Sequence, residues 1–287
     1  MSLRLYLILA LAMVSVSTTS LVIRYVAFVP ALVLAFWRML TASGMLWGYS
    51  AVLPAQELTL KNRTRIVFAG FFLGLHFAFF FLSVRHTSIA NATLLANTGP
   101  FFTVLIALIL KQHISRETYL GLGIAALGLV VVQGSSFRLA TDTLYGNSLA
   151  ILSGLCIALT YIFASKIRQN TDNTIYGRTL FFIAAITIGL IALANGDGLL
   201  SFKKEHVFWL LFLGFVPSIL GHNMLNYSLK YLSPTAVASV PLGEPIIASI
   251  FGYILFKESI PLGAYLGGPI ILAGIYIILW GQKTDST

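Results

Sequence analysis

The chain has 287 residues, 58% of them hydrophobic and 9% charged. A soluble domain carries about 25% charged residues, so this composition excludes a water-facing globular protein. The formal net charge of +9 sits at the ends of apolar runs, where it meets anionic lipid headgroups. It forms no basic stripe interleaved with aromatics, and nucleic acid is excluded as a partner.

In lipid every backbone polar group must be satisfied within the protein, and these runs are too long and continuous for barrel strands. They predict an all-α integral membrane protein of about ten transmembrane helices, each about 20 residues long. In chain order the spans are expected at Leu3–Leu21, Pro30–Leu53, Ile66–Val84, Ile89–Leu110, Thr118–Gln133, Leu144–Ser165, Thr174–Ala194, Val207–Leu229, Thr235–Phe256 and Leu262–Trp280. The first begins almost at Met1 with no small-residue cleavage site after it, so a retained helix is expected rather than a signal peptide. Cys156 is the one cysteine, which excludes an internal disulfide and a multi-cysteine metal site. With both termini in the cytoplasm, Arg4, Lys61, Arg63, Arg65, Lys111, Arg116, Lys166, Arg168, Lys230 and Lys283 lie inside. The outside set, Arg24, Arg85, Arg138, Lys203, Lys204 and Lys257, is smaller, and this bias favours that orientation.

The chain resembles itself. The fourth and fifth spans carry Gly99-Pro100, the loop Lys111-Gln112-His113, then Tyr119-Leu120-Gly121 and Leu127-Gly128. The ninth and tenth carry Glu244-Pro245, Lys257-Glu258, then Tyr265-Leu266-Gly267 and Ala273-Gly274. Phe36-Trp37-Arg38 of the second span aligns with Tyr176-Gly177-Arg178 of the seventh. A unit of five spans therefore occurs twice, over 1–142 and 143–287. Because five is odd, the second unit starts on the opposite side of the membrane. Such a 5+5 inverted repeat places a solute site near the midplane between the halves. Chance similarity among Leu-, Gly- and Ala-rich helices is the competing explanation.

At Ala35-Phe36-Trp37-Arg38, Thr98-Gly99-Pro100, Gly243-Glu244-Pro245 and Phe256-Lys257-Glu258 the chain resembles an EamA-type member of the drug/metabolite transporter superfamily. The resemblance covers nearly the whole chain. It implies alternating access and export or exchange of metabolites such as amino acids. It also implies a cavity lined mainly by the third, fourth, eighth and ninth spans, with the first and sixth nearby, and a bacterial inner membrane location. It does not specify the solute.

An ionisable side chain within a span is costly and marks a functional candidate. Glu244 lies about 15 Å into the ninth span at 1.5 Å per residue. It could bind a solute amine or a coupling proton, or instead cap the backbone freed by Pro245 or pair with a basic residue. Arg38, about 12 Å into the second span, could grip a solute carboxylate bidentately, or pair with Glu244 or helix-end carbonyls. His76 and His222 fall at nearly matching repeat positions and could relay protons or simply join helices. Asn223, Asn226 and Tyr227 follow His222, and Asn226 shares its face. Asn91 and Asn97 add polar groups to the fourth span. Phe79 and Phe80 lie on the His76 side and could flank an apolar or ammonium group, or face lipid. The favoured set is Glu244, His222, Asn223, Asn226, His76, Phe80 and Asn97, with Arg38 as support. The hydroxyls from Ser15 to Ser20 read as close helix packing, and Gly267-Gly268-Pro269 as an interruption of the tenth span and a candidate hinge.

No phosphate-cradling Gly-rich loop or His-Glu-x-x-His motif occurs, so no cofactor is expected. The expected partners are a small-molecule solute, membrane lipid, and a coupling proton or counter-solute. A secondary transporter is the leading reading. A lipid-modifying or lipid-binding membrane enzyme is the alternative, disfavoured because the polar residues lie within spans.

Overall fold

The computed structural model describes residues 2–52, 58–134, 143–257, 260 and 262–282. Leu53, Arg138, Glu258 and Lys283, named above, lie outside the described residues. Ten helical spans follow one another: α1 (Leu3–Ile23), α2 (Ala31–Ser50), α3 (Leu60–His86), α4 (Ile89–Ile109), α5 (Arg116–Gln133), α6 (Leu144–Arg168), α7 (Asn173–Ala194), α8 (Lys204–Ser228), α9 (Pro234–Phe251, its last turn reaching Phe256) and α10 (Leu262–Gly281). Nine of these described helices are long and apolar enough to cross a membrane. The remaining one, α5, matches them in length at 18 residues but opens on Arg116-Glu117.

Several starts are set by caps rather than by hydropathy. Side-chain oxygens of Ser88, Ser115, Asp172 and Ser233 accept from the backbone N–H groups of Asn91, Thr118, Thr174 and Ala236 at the heads of α4, α5, α7 and α9. Thr59 caps α3 in the same way. That helix therefore begins at Leu60 and takes in Lys61 to Arg65, where apolarity alone predicts a start at Ile66. Inward and lipid-facing sides are clean. On α1, Leu3, Leu7 and Leu11 are 75%, 62% and 46% exposed, while Leu5, Leu9, Ala12 and Val16 are buried. Without a bilayer the first stripe would be an exposed apolar patch, so it faces lipid.

The repeat is visible in how helices meet. α5 and α10 touch through glycines. A Cβ on Gly121 would stand 2.6 Å from Gly274 O, and one on Gly274 2.6 Å from Gly121 O. A Cβ on Gly128 would stand 2.8 Å from Gly267 O, and one on Gly267 2.5 Å from Gly128 O. Gly121 corresponds to Gly267 and Gly128 to Gly274, so each contact is the other's image. Residue numbers rise along α5 as they fall along α10, so the pair is antiparallel, as an inverted repeat requires. Similarly α1 lies against α8 and α6 against α3, while α2 lies against its counterpart α7. α4 and α9 both finish on a lysine in the left-handed region, Lys111 at φ 53° and Lys257 at φ 58°. Expected as an interruption, Pro269 instead sits inside a continuous α10, because the close fit to α5 holds the helix on either side of it.

Candidate functional site

Four spans are interrupted, and the interruptions converge. In α1 the break is at Ser17, where Ser17 Oγ donates to Met13 O and Thr18 Oγ1 to Ser15 O, both at 2.7 Å. Such back-bonding competes with the helical ladder and bends it. α4 breaks at Asn97-Thr98, between Ile89–Ala96 and Gly99–Ile109. In α9 a 3₁₀ segment, Val240–Gly243, precedes Glu244. α8 widens into a π-helix over Gly214–Asn223. Pro217 has no N–H for the carbonyl four residues before it. Ser218 Oγ donates to that carbonyl, Leu213 O, at 2.8 Å. A π segment in a helix frequently marks a functional site.

Between these breaks lies a central cavity of about 50 Å³. Its polar lining comprises Thr19, Arg38, His76, Asn97, Tyr161, His222 and Glu244, and its aromatic walls are Phe77 and Phe80. The wall is drawn from α1, α2, α3, α4, α6, α8 and α9, so both units build it. Its volume is enough for water, while a metabolite needs the walls to part.

Arg38 is 1% exposed and binds three ways. Nε donates to Ser218 Oγ at 2.9 Å, Nη1 to Thr19 Oγ1 at 3.3 Å and Nη2 to Pro217 O at 3.3 Å. Its Cζ stands 4.3 Å from the Phe77 ring centroid, a cation–π contact. The guanidinium thus fills the breaks of α1 and α8. Opposite, Glu244 Oε2 accepts from Asn97 Nδ2 at 3.2 Å, which ties the break of α9 to that of α4. No ion pair within 4.0 Å joins Arg38 and Glu244 among the described residues. The cavity therefore holds a guanidinium and a carboxylate that do not neutralise each other by contact.

The two histidines line the same cavity. Their rings are 6.1 Å apart, and Phe77 stands edge-on to His222 at 5.0 Å. His76 stacks on Phe80 at 6.4 Å. Ser153 Oγ donates to His76 O at 3.0 Å, which uses its one hydrogen. His76 Nδ1 lies 2.8 Å from Ser153 Oγ and 3.0 Å from Ser153 O. Nδ1 must then carry the proton in the neutral ring, leaving Nε2 as the acceptor. The Tyr161 hydroxyl and His222 Nδ1 are buried without a hydrogen-bond partner among the described residues. Among those residues, no three His, Cys, Asp or Glu side chains are placed to hold a metal ion.

Six of the eight residues singled out from sequence meet in this cavity: Glu244, His222, His76, Phe80, Asn97 and Arg38. Asn223 and Asn226 stand outside the lining. Asn223 Oδ1 lies against the backbone of α7, where a Cβ on Gly177 would come within 2.4 Å of it, and its carbonyl accepts from Asn173 Nδ2 at 3.0 Å. Asn226 does follow His222 on the same face, but four residues is about 6 Å along the axis. There α6 closes the wall, and Arg168 Nε donates to Asn226 O at 3.1 Å. Asn91 joins a separate cluster, donating to Asn147 Oδ1 at 3.3 Å. Arg178 also lies elsewhere, bonded to Ser50 Oγ at 2.6 Å and over the Trp47 ring at 4.0 Å.

Thr19, Phe77 and Tyr161 are the polar and aromatic lining residues outside the set favoured from sequence. Thr19 lies in the hydroxyl run read as helix packing. Phe77 lies one residue past His76, where the cavity wraps round α3, while Phe79 is left out of the lining. Tyr161 sits in an apolar run with Thr160 beside it and no ionisable residue within four positions to flag it.

The chain matches the EamA-like transporter family over residues 3–133 and again over 144–280, one match for each five-helix unit. Relatives include two proteins of Archaeoglobus fulgidus named uncharacterized transporters. They are 26% and 28% identical, covering 83% and 85% of this chain and 84% and 86% of theirs. A Salmonella typhimurium protein named a probable amino-acid metabolite efflux pump is 25% identical, covering 74% of each chain. A crystal structure with 14% identity superposes with a TM-score of 0.81 over 96% of this chain and 98% of that one, which shows the shared fold. With two family-matched units, a helix bundle built for a bilayer and a cavity at their interface, this chain belongs to the EamA-like transporter family.

Proposed function

We propose that the protein is a secondary transporter that exports or exchanges small polar metabolites, with amino acids the favoured class. The observation that carries this reading is the separation of Arg38 and Glu244 in one cavity. A zwitterion presents a carboxylate and an ammonium, and each finds its complement there. The naming of the Salmonella relative supports the same class. Both units, 1–142 and 143–287, would rock about the cavity and open it to each membrane face in turn. The small volume fits a contracted conformation that solute entry must widen. Glu244, His76 and His222 are also the places where a coupling proton can sit; a counter-solute is the other way to drive exchange. We place the protein in the bacterial inner membrane with both termini cytoplasmic.

Reconstituted protein tests this. Liposomes preloaded with unlabelled amino acids should accumulate the matching labelled one transiently and saturably. Conductance without saturation or counterflow would identify a channel instead, and folded protein inert toward the whole amino-acid panel would remove that substrate class.

A further inference from the structure

A second cavity, of about 170 Å³, lies at the end of the bundle where α5 and α9 begin. Its rim is exposed at Gln112, His113 and Lys166, and its floor is the buried pair Thr103 and Thr235. These two hydroxyls bond to each other at 2.9 Å, and Thr103 Oγ1 also reaches Pro100 O at 2.7 Å. Pro100 and Ala238 line the central cavity. Each lies three residues from its threonine, about 4.5 Å along the helix. A single layer, bridged by one hydrogen bond between α4 and α9, therefore separates the two spaces.

The repeat makes this layer distinctive. Counting from the matched breaks, Gly99 and Glu244, Thr103 corresponds to Ala248 and Thr235 to Ala90. The equivalent positions near the other end carry methyl groups, which cannot form the bond. The cleft at that end also differs. Its lining includes Leu21, Tyr25, Trp209, Phe212 and Phe251, and among the described residues it is almost wholly apolar. Phe251 corresponds to Ile106 of the polar cavity, so the two clefts are related by the repeat yet chemically opposed.

We propose that the polar cavity is the solute's port at the end where α5 and α9 begin, and that Thr103 and Thr235 are the bar that closes it from the central site. The port takes polar solutes, and those bearing a carboxylate best. Among the described residues its lining offers hydroxyls, amides, an imidazole and the Lys166 ammonium, and no carboxylate. This rests on the transport reading, but its test needs no solute.

Thiol accessibility provides that test. In a Cys156→Ala background, one protein carries Ala238→Cys as a reporter in the central cavity and another Ser165→Cys in the port. A charged, membrane-impermeant thiol reagent is applied to proteoliposomes from the end where α5 begins. Ser165→Cys should label fast. Ala238→Cys should label slowly, and about tenfold faster once Thr103→Val removes the bond, one hydrogen bond being worth up to about that factor. Thr103→Ser, which keeps the hydroxyl, should leave the rate unchanged. Thr235→Val breaks the bond from the other side and should act like Thr103→Val, which separates gating from misfolding at either position. Equal labelling of Ala238→Cys with and without the bond, or an unreactive Ser165→Cys, would overturn the proposal. Loss of transport with this labelling pattern intact would count against the solute assignment alone.

Discussion

Asn97 donates to Glu244 across 3.2 Å, and through this bond the interruption of α4 is fastened to that of α9. The carboxyl group has no cationic partner within 4.0 Å among the described residues, so no ion pair competes with whatever enters the cavity. Glu244→Gln preserves size and leaves an amide oxygen for Asn97 while deleting the charge. The folded protein should therefore survive, with counterflow affinity falling at least about tenfold, the scale of one charged hydrogen bond. If transport kinetics and their pH profile are unchanged in Glu244→Gln, the residue is only a fastener between helices.

Arg38 holds α1 and α8 together from α2. An ammonium presents its donors from one point and cannot reach Ser218 Oγ, Thr19 Oγ1 and Pro217 O as a planar fork does. Arg38→Lys leaves one or more of these buried acceptors bare, at about 1–3 kcal/mol. Thermal unfolding in detergent should show a lowered midpoint in Arg38→Lys and a larger drop in Arg38→Ala. A midpoint equal to that of the parent would mean that these bonds contribute nothing to the folded state.

Much of this was legible in the sequence, for definite reasons. Span number follows from apolar length, because lipid admits only helices and closed barrels and these runs are too long and continuous for barrel strands. Arg38 and Glu244 stood out because charges in a membrane are rare. The repeat surfaced at Gly121, Gly128, Gly267 and Gly274, whose missing Cβ atoms let α5 and α10 touch. Less visible was anything set by three-dimensional closure. Asn226 has the right face of α8 and the wrong height, and periodicity reports angle alone. Tyr161 is a hydroxyl in an apolar run, meaningful only once the break in α1 and the π-helix in α8 open a space opposite it. The α3 start at Leu60 was displaced by a cap at Thr59, a local hydrogen bond that hydropathy does not register.

The glycine contacts between α5 and α10 should behave as equivalent under substitution. Gly121→Ala and Gly267→Ala each place a methyl 2.5–2.6 Å from a backbone carbonyl, Gly274 O and Gly128 O respectively. Neither carbonyl can move without shifting its helix, so each substitution should cost about 1–3 kcal/mol. Gly123→Ala, on the same helix with nothing within 4 Å, should be neutral or slightly stabilising through its better helix propensity. Unfolding midpoints of the three variants decide this, and a Gly123→Ala loss matching the other two would show that helix flexibility, not close approach, is what matters.

His76 allows its two ring nitrogens to be tested apart. Nδ1 is committed to Ser153, with Oγ at 2.8 Å and O at 3.0 Å, so Nε2 is the nitrogen left for the cavity. Asparagine carries an amide group near the Nδ1 position, and glutamine carries one near Nε2. His76→Asn should therefore retain the α3–α6 fastening, and with it stability, while losing solute affinity. His76→Gln should do the reverse, keeping more affinity at a lower unfolding midpoint. The split between a stability readout and a transport readout is the diagnostic feature. Should both variants lose stability and leave affinity intact, His76 is a helix fastener whose second nitrogen has no part in solute binding. The cavity's chemistry would then rest on His222, Arg38 and Glu244.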